Sequence, residues 1–140
     1  MTRFDTVFDT ACQTAGLGWV SVYDTQDKQL KADKQISMYP CVLRSFSEPV
    51  TPLYDIQNRF IREMNLYIIH VGFTHKTPEL INEDLEDIMT RFNLMRDYMR
   101  RHGCEIEFLT APLPSWQQFG NVDEFGFVYS LKVTYKSCLT

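Results

Sequence analysis

The sequence predicts an α+β fold: a mixed, mainly antiparallel sheet of four to five strands with two helices, ordered α-β-β-β-α-β-β and containing a long β-hairpin. Three observations carry this prediction. Apolar residues recur at helical spacing near the start and again over a long central stretch, and they alternate strictly near the end. The 140 residues are 44% hydrophobic and 23% charged, the balance of one folded domain, expected to span residues 1–140.

Phe4, Val7, Phe8, Ala11, Cys12 and Ala15 line one face of a 3.6-residue helix, and Gly16 stands where a helix C′ glycine belongs. Leu17 to Tyr23 reads as a first strand. Asp24 to Gln35 interleaves three Lys with three Asp and reads as a solvated loop. Ile36–Phe46 and Gln57–Phe73 read as the two strands of the hairpin, with 47–55 at its tip. Pro40 places the first of these at an edge or a bulge, because proline donates nothing to a ladder. The second is long. It carries Arg59, Arg62 and Glu63 in its outer half and is apolar on both faces from Leu66 onward, which leaves two readings open: a projecting polar ribbon, or a strand broken near Asn65.

Thr77-Pro78-Glu79 is a helix start: a Thr cap, Pro at the first helical position and an acid in the first turn. The stripe Ile81, Leu85, Ile88, Met89, Phe92, Met95 and Met99 carries that helix to Arg101, with Gly103 beyond. Its length of roughly 35 Å keeps His70 and His75 away from His102 and Cys104, so no metal site is expected. Cys104–Thr110 reads as a strand with Ile106 and Phe108 on one face and Glu105 and Glu107 on the other. Ala111–Gly126 reads as a long loop bearing Pro and aromatic residues. Phe127, Tyr129, Leu131, Val133 and Tyr135 then alternate with polar residues as a half-buried final strand.

Composition narrows the function. The net charge of −4 and ten acids against six bases in residues 77–140 argue against a nucleic-acid-gripping surface. No apolar run approaches the roughly 20 residues of a membrane helix. Met1-Thr2-Arg3-Phe4-Asp5 has no apolar h-region, so no signal peptide is expected. Cys12, Cys41, Cys104 and Cys138 stand far apart without a Cys-x-x-Cys pair and read as buried hydrophobes. No phosphate-cradling, zinc-protease or nucleophile-elbow motif is written, and no cofactor or enzymatic activity is expected. Trp116, Phe119, Phe125 and Tyr54 are the candidate subunit-interface anchors. Glu105, Glu107, Asp123 and Glu124 make a candidate acidic surface.

The element order resembles that of bacteriophage tail-terminator and head–tail completion proteins: a short amphipathic helix, a long-stranded hairpin, one long crossing helix and an alternating last strand. The likeness covers about residues 4–136. The segment Phe119-Gly120-Asn121-Val122-Asp123-Glu124-Phe125-Gly126-Phe127-Val128-Tyr129 is similar to the loop-then-strand ending of such virion proteins. The resemblance implies a non-enzymatic subunit made in the host cytoplasm and carried in the virion. Its partners would be copies of itself in a ring, a hexamer among the options, and neighbouring tail-tube or connector proteins. Two other classes stay open. One is a small-molecule-binding protein or modest enzyme with a pocket under the 111–126 loop, using His70, Glu105 and Glu107. The other is an adaptor that takes a partner strand at the edge near Pro40.

Overall fold

A computed structural model describes residues 2–22, 40–45, 48–53, 58–72, 75–119 and 122–136. The predicted 24–35 loop, Tyr54 and Cys138 lie outside the described residues.

The first helix, α1, spans Arg3–Thr14. Thr2 caps it: Asp5 N donates to Thr2 Oγ1 at 3.0 Å while Asp5 Oδ2 accepts from Thr2 N at 3.3 Å. Gly16 ends it at φ +70°, where Leu17 N bonds Cys12 O at 2.8 Å and Gly16 N bonds Gln13 O at 3.0 Å. That pair of bonds is a Schellman closure, and it needs the left-handed residue that glycine supplies without steric cost.

Four strands follow: β1 Gly18–Val22, β2 Cys41–Ser45, β3 Val50–Leu53 and β4 Arg59–Val71. The second helix, α2, runs Pro78–Arg101 between its Thr77 cap and the positive-φ Gly103, as its sequence signals require. Three strands close the chain: β5 Cys104–Phe108, β6 Leu113–Phe119 and β7 Val122–Lys136. The class is α+β, with seven strands among the described residues rather than four or five. The two additional strands are β3, in the predicted hairpin tip, and β6, in the predicted 111–126 loop.

The sheet runs β1-β2-β4-β7-β5, with β3 also on β4 and β6 also on β7. Its centre is the antiparallel β4/β7 pair, unbroken from Arg59↔Lys136 to Val71↔Glu124. No break occurs at Asn65, which pairs with Ser130. Nor does the outer half of β4 project alone, because β3 and β7 flank it. β2 and β3 lie end to end along one side of β4, and β5 and β6 lie end to end along the far side of β7. From Arg44↔Leu66 to Val50↔Arg62 the outer side advances six positions against four on β4, and from Phe108↔Leu131 to Leu113↔Val128 it advances five against three on β7. A difference of two keeps side-chain alternation in phase, so the pairs on either side of each junction keep the same faces. The two hairpins are thus built alike, a repetition the sequence does not display.

β4 and β5 both run antiparallel to β7 and so run parallel to each other, with α2 as the crossover between them. β1 and β2 pair in parallel from Gly18↔Cys41 to Val22↔Ser45. β2 is therefore an interior strand. Pro40 precedes it and needs no ladder bond, which corrects the edge placement.

Among the described residues, the two helices cover one face of the sheet. There Met64, Leu66 and Ile68 of β4 and Tyr129, Leu131 and Val133 of β7 meet Phe8, Ala11 and Cys12 of α1 and Ile88, Phe92 and Met95 of α2. Phe92 stacks on Tyr129 at 4.0 Å and 9°. The opposite face carries a smaller buried cluster of Cys41, Leu43, Tyr67 and Ile69 beside Val128. Burial on both faces accounts for the unbroken apolar run of β4.

Candidate interaction surfaces

The sequence-predicted aromatic residues fall in β6 and the start of β7. Trp116 pairs with Phe125 and lies on the helix-bearing face, 49% exposed, with its ring stacked on Phe125 at 5.5 Å. Phe119 ends β6 opposite Val122. Phe125 is wholly buried, held between Trp116 on β6 and His70 on β4. It is a packing residue inside the chain rather than an interface anchor. Asp123 and Glu124 are buried too, which removes them from the acidic surface. The reason is positional: the first residues of β7 have β4 on one side and β6 on the other, so this segment is interior sheet. Glu105 and Glu107 do lie exposed on β5, on the face away from the helices, with Lys132 Nζ 4.0 Å from Glu107.

Residues 113–119 pair edgewise with β7 as an edge strand, where the sequence predicts part of a long loop. Leu113, Trp116, Phe108 and Leu109 are each at least 43% exposed along this β5/β6 border. Among the described residues no strand pairs with its outer side. Exposed apolar side chains on an open sheet edge are the usual mark of a docking site.

A line of contacts leads inward from that edge. Phe125 stacks on His70 at 6.1 Å, His70 Nε2 lies 3.2 Å from Asp87 Oδ2, and Arg91 Nε donates to the same oxygen at 2.8 Å. Arg91 Nη1 then donates to the carbonyls of Ala15 and Gly16 at 3.0 Å each. His70 thus joins β4 to α2. The Asp87 carboxyl is held below its usual value; burial opposes this, and the bonds from Arg91 and His70 outweigh it.

A second cluster was not legible in the sequence. The Arg44 guanidinium lies 4.8 Å from the Phe8 ring, 5.3 Å from Trp19 and 5.4 Å from Phe4. Its Nη1 is 2.9 Å from Asp5 Oδ1, and its Nη2 donates to Glu48 Oε2 at 2.8 Å. Arg62 Nη1 donates to the same Glu48 oxygen at 2.9 Å, and its Nη2 donates to Tyr135 Oη at 3.2 Å. Arginine and acid arrive from three separate stretches, around residues 5, 44–48 and 62, so no single local spacing announces the set. Asp5 is also held below its usual value, since its bonds to Thr2 and Arg44 outweigh burial.

These two carboxyls fix the sign of a pH response. Their folded-state values lie below the unfolded 3.8, so their stabilisation is present above about pH 4 and is lost as pH falls through the depressed values. Urea midpoints are expected to drop with acidification from about pH 4 downward. An Asp5→Asn/Asp87→Asn variant is expected to show a shallower drop, and an unchanged slope would contradict these pairings.

The described thiols are buried. Burial pushes Cys104 up to about 11, and burial with the Glu124 charge pushes Cys41 up to about 12. Thiols in that range are poor nucleophiles at neutral pH. Among the described residues no group of three or more His, Cys, Asp or Glu is arranged to hold a metal ion. No described helix is long and apolar enough to cross a membrane.

A cleft of about 300 Å³ opens where α1 begins and β7 ends, lined by Thr2, Arg3, Phe4, Val50, Phe60, Arg62, Tyr135 and Lys136. A neighbouring one of about 210 Å³ reaches Asp5, Trp19, Arg44 and Glu48. The class defined by these features is an α+β protein with an apolar sheet edge and a basic cleft. No protein-family model matches the chain, and no curated protein matches it either.

Proposed function

We propose that the protein is a non-enzymatic structural subunit that acts through protein–protein contacts, as a ring-forming tail-terminator or head–tail connector subunit of a bacteriophage virion. The observation that carries this reading is the β5/β6 border, where Trp116 and Leu113 stand exposed beside Phe108 and Leu109. An edge of that kind offers backbone donors and acceptors together with apolar anchors, which suits a neighbouring protein better than a small metabolite. The element order of helix, long hairpin, crossing helix and alternating final strand supports the virion assignment by resemblance.

The test is compositional. Quantitative mass spectrometry of purified virions of the encoding phage is expected to find the chain in a fixed small copy number per particle. Its absence from particles, with the infected cell containing it, would overturn the assignment. Trp116→Ala is expected to fold, with a melting temperature lowered by only a few degrees because Phe125 keeps its other neighbours. In complementation of a phage lacking the gene, the same variant is expected to give at least tenfold fewer infectious particles. Full complementation would remove the β5/β6 border from the contact surface.

A further inference from the structure

The two ends of the sheet differ in charge. At the end where α1 begins, the 300 Å³ cleft is lined by the apolar Phe4, Val50 and Phe60 together with Arg3, Arg62 and Lys136. Arg62 is fixed by Glu48 and by Tyr135 and lies 4.6 Å over the Phe4 ring, so its guanidinium is preorganised. Arg3 and Lys136 are exposed.

At the opposite end α2 begins, anchored by the contacts of Asp84 with Lys76 and of Asp87 with His70. Those two acids have partners. Glu79, Glu83 and Glu86 are exposed and make no ion pair among the described residues. Leu80 stands in the same turns, 47% exposed, with Glu83 three residues on along the helix surface. An acid in the first turn complements the helix dipole, but the dipole gives no reason for a leucine in water beside it. The 13 residues of β4, about 40 Å of extended strand, separate this knob from the cleft, so they do not meet within one chain.

We infer that copies of this chain associate head to tail, with Leu80 of one copy seated against the apolar residues of the next copy's cleft and Glu79 and Glu83 facing its Arg3 and Lys136. The match is chemical on both counts: an apolar knob among acids against an apolar lining among bases. This deepens the subunit reading, on which it rests, by naming the surfaces through which the copies meet. Because the two surfaces differ, the contact is heterologous, and its repetition closes a ring or extends a filament. The β5/β6 border stays open in such an assembly for a different protein.

Sedimentation velocity on the full chain tests it with two double variants, Glu79→Lys/Glu83→Lys and Arg3→Glu/Lys136→Glu. All four positions are exposed, and unchanged circular dichroism and melting verify the fold. Wild type is expected to form oligomers at 50 mM salt that weaken at 500 mM, since the facing charges are screened. Each double variant alone is expected to be monomeric, and an equimolar mixture is expected to reassemble through restored complementary pairs. Leu80→Asp, which leaves the basic cleft untouched, is expected to be monomeric as well. Oligomers unaffected by these changes would overturn the inference while leaving the subunit reading in place. A wild type that is monomeric at every concentration and salt would overturn both.

Discussion

Gly126→Ala is expected to abolish the native sheet. A Cβ at this position would lie 1.8 Å from the Ile68 carbonyl oxygen and 2.8 Å from its carbon. Those atoms are backbone of β4, the strand with β2 and β3 on one side and β7 on the other. No flexible side chain is there to yield, so β4 and β7 would have to part near the Val71↔Glu124 end of their pairing. Parting them breaks the Ile69↔Gly126 pairing and pulls Phe125 out of its stack between Trp116 and His70. The cost is expected to exceed about 4 kcal/mol, the range of core disruptions that a small domain rarely survives. Soluble yield and far-UV circular dichroism read this directly. A variant with a wild-type urea midpoint would show that the two strands do not approach so closely.

Arg44→Met is expected to be the next most damaging single change. Methionine keeps much of the side-chain volume among Phe4, Phe8 and Trp19, so the loss isolates the charge. Glu48, only 3% exposed, would then answer to Arg62 alone, and Asp5 would lose its guanidinium partner. Removing one member of a buried ion cluster typically costs about 3–5 kcal/mol, because the remaining charge stays desolvated. Adding Glu48→Gln to Arg44→Met is expected to recover part of that loss by removing the orphaned charge. Urea midpoints for the two single variants and the double variant give the coupling. Additive losses would mean that Arg44 and Glu48 act independently.

What the sequence reveals depends on how local its cause is. Both helices are written locally, in the apolar stripes of 4–15 and 81–99 and in Thr77, Pro78, Gly16 and Gly103, and both appear where those signals place them. The alternation of 127–135 likewise needs only one strand with a buried face. β3 and β6 escape such reading because each is a short outer segment containing a proline, Pro52 and Pro114, and neither alternates apolar with polar. The parallel β1/β2 pair is fixed by contacts across residues 23–40 that no local pattern encodes. Asp123, Glu124 and Phe125 look exposable as a sequence, yet β4 and β6 close on both sides of them. Trp116 was legible as an exposed aromatic; the cluster around Arg44 was not, since Asp5, Arg44, Glu48 and Arg62 converge only in the folded chain.

A structural subunit and a catalyst differ most plainly in the particle they form. Electron microscopy of the purified full chain at low salt is expected to show closed rings of identical copies around an axial opening. Isolated 16.5-kDa particles at every concentration, together with turnover of a small molecule, would contradict the reading of this protein as a part that works by contact.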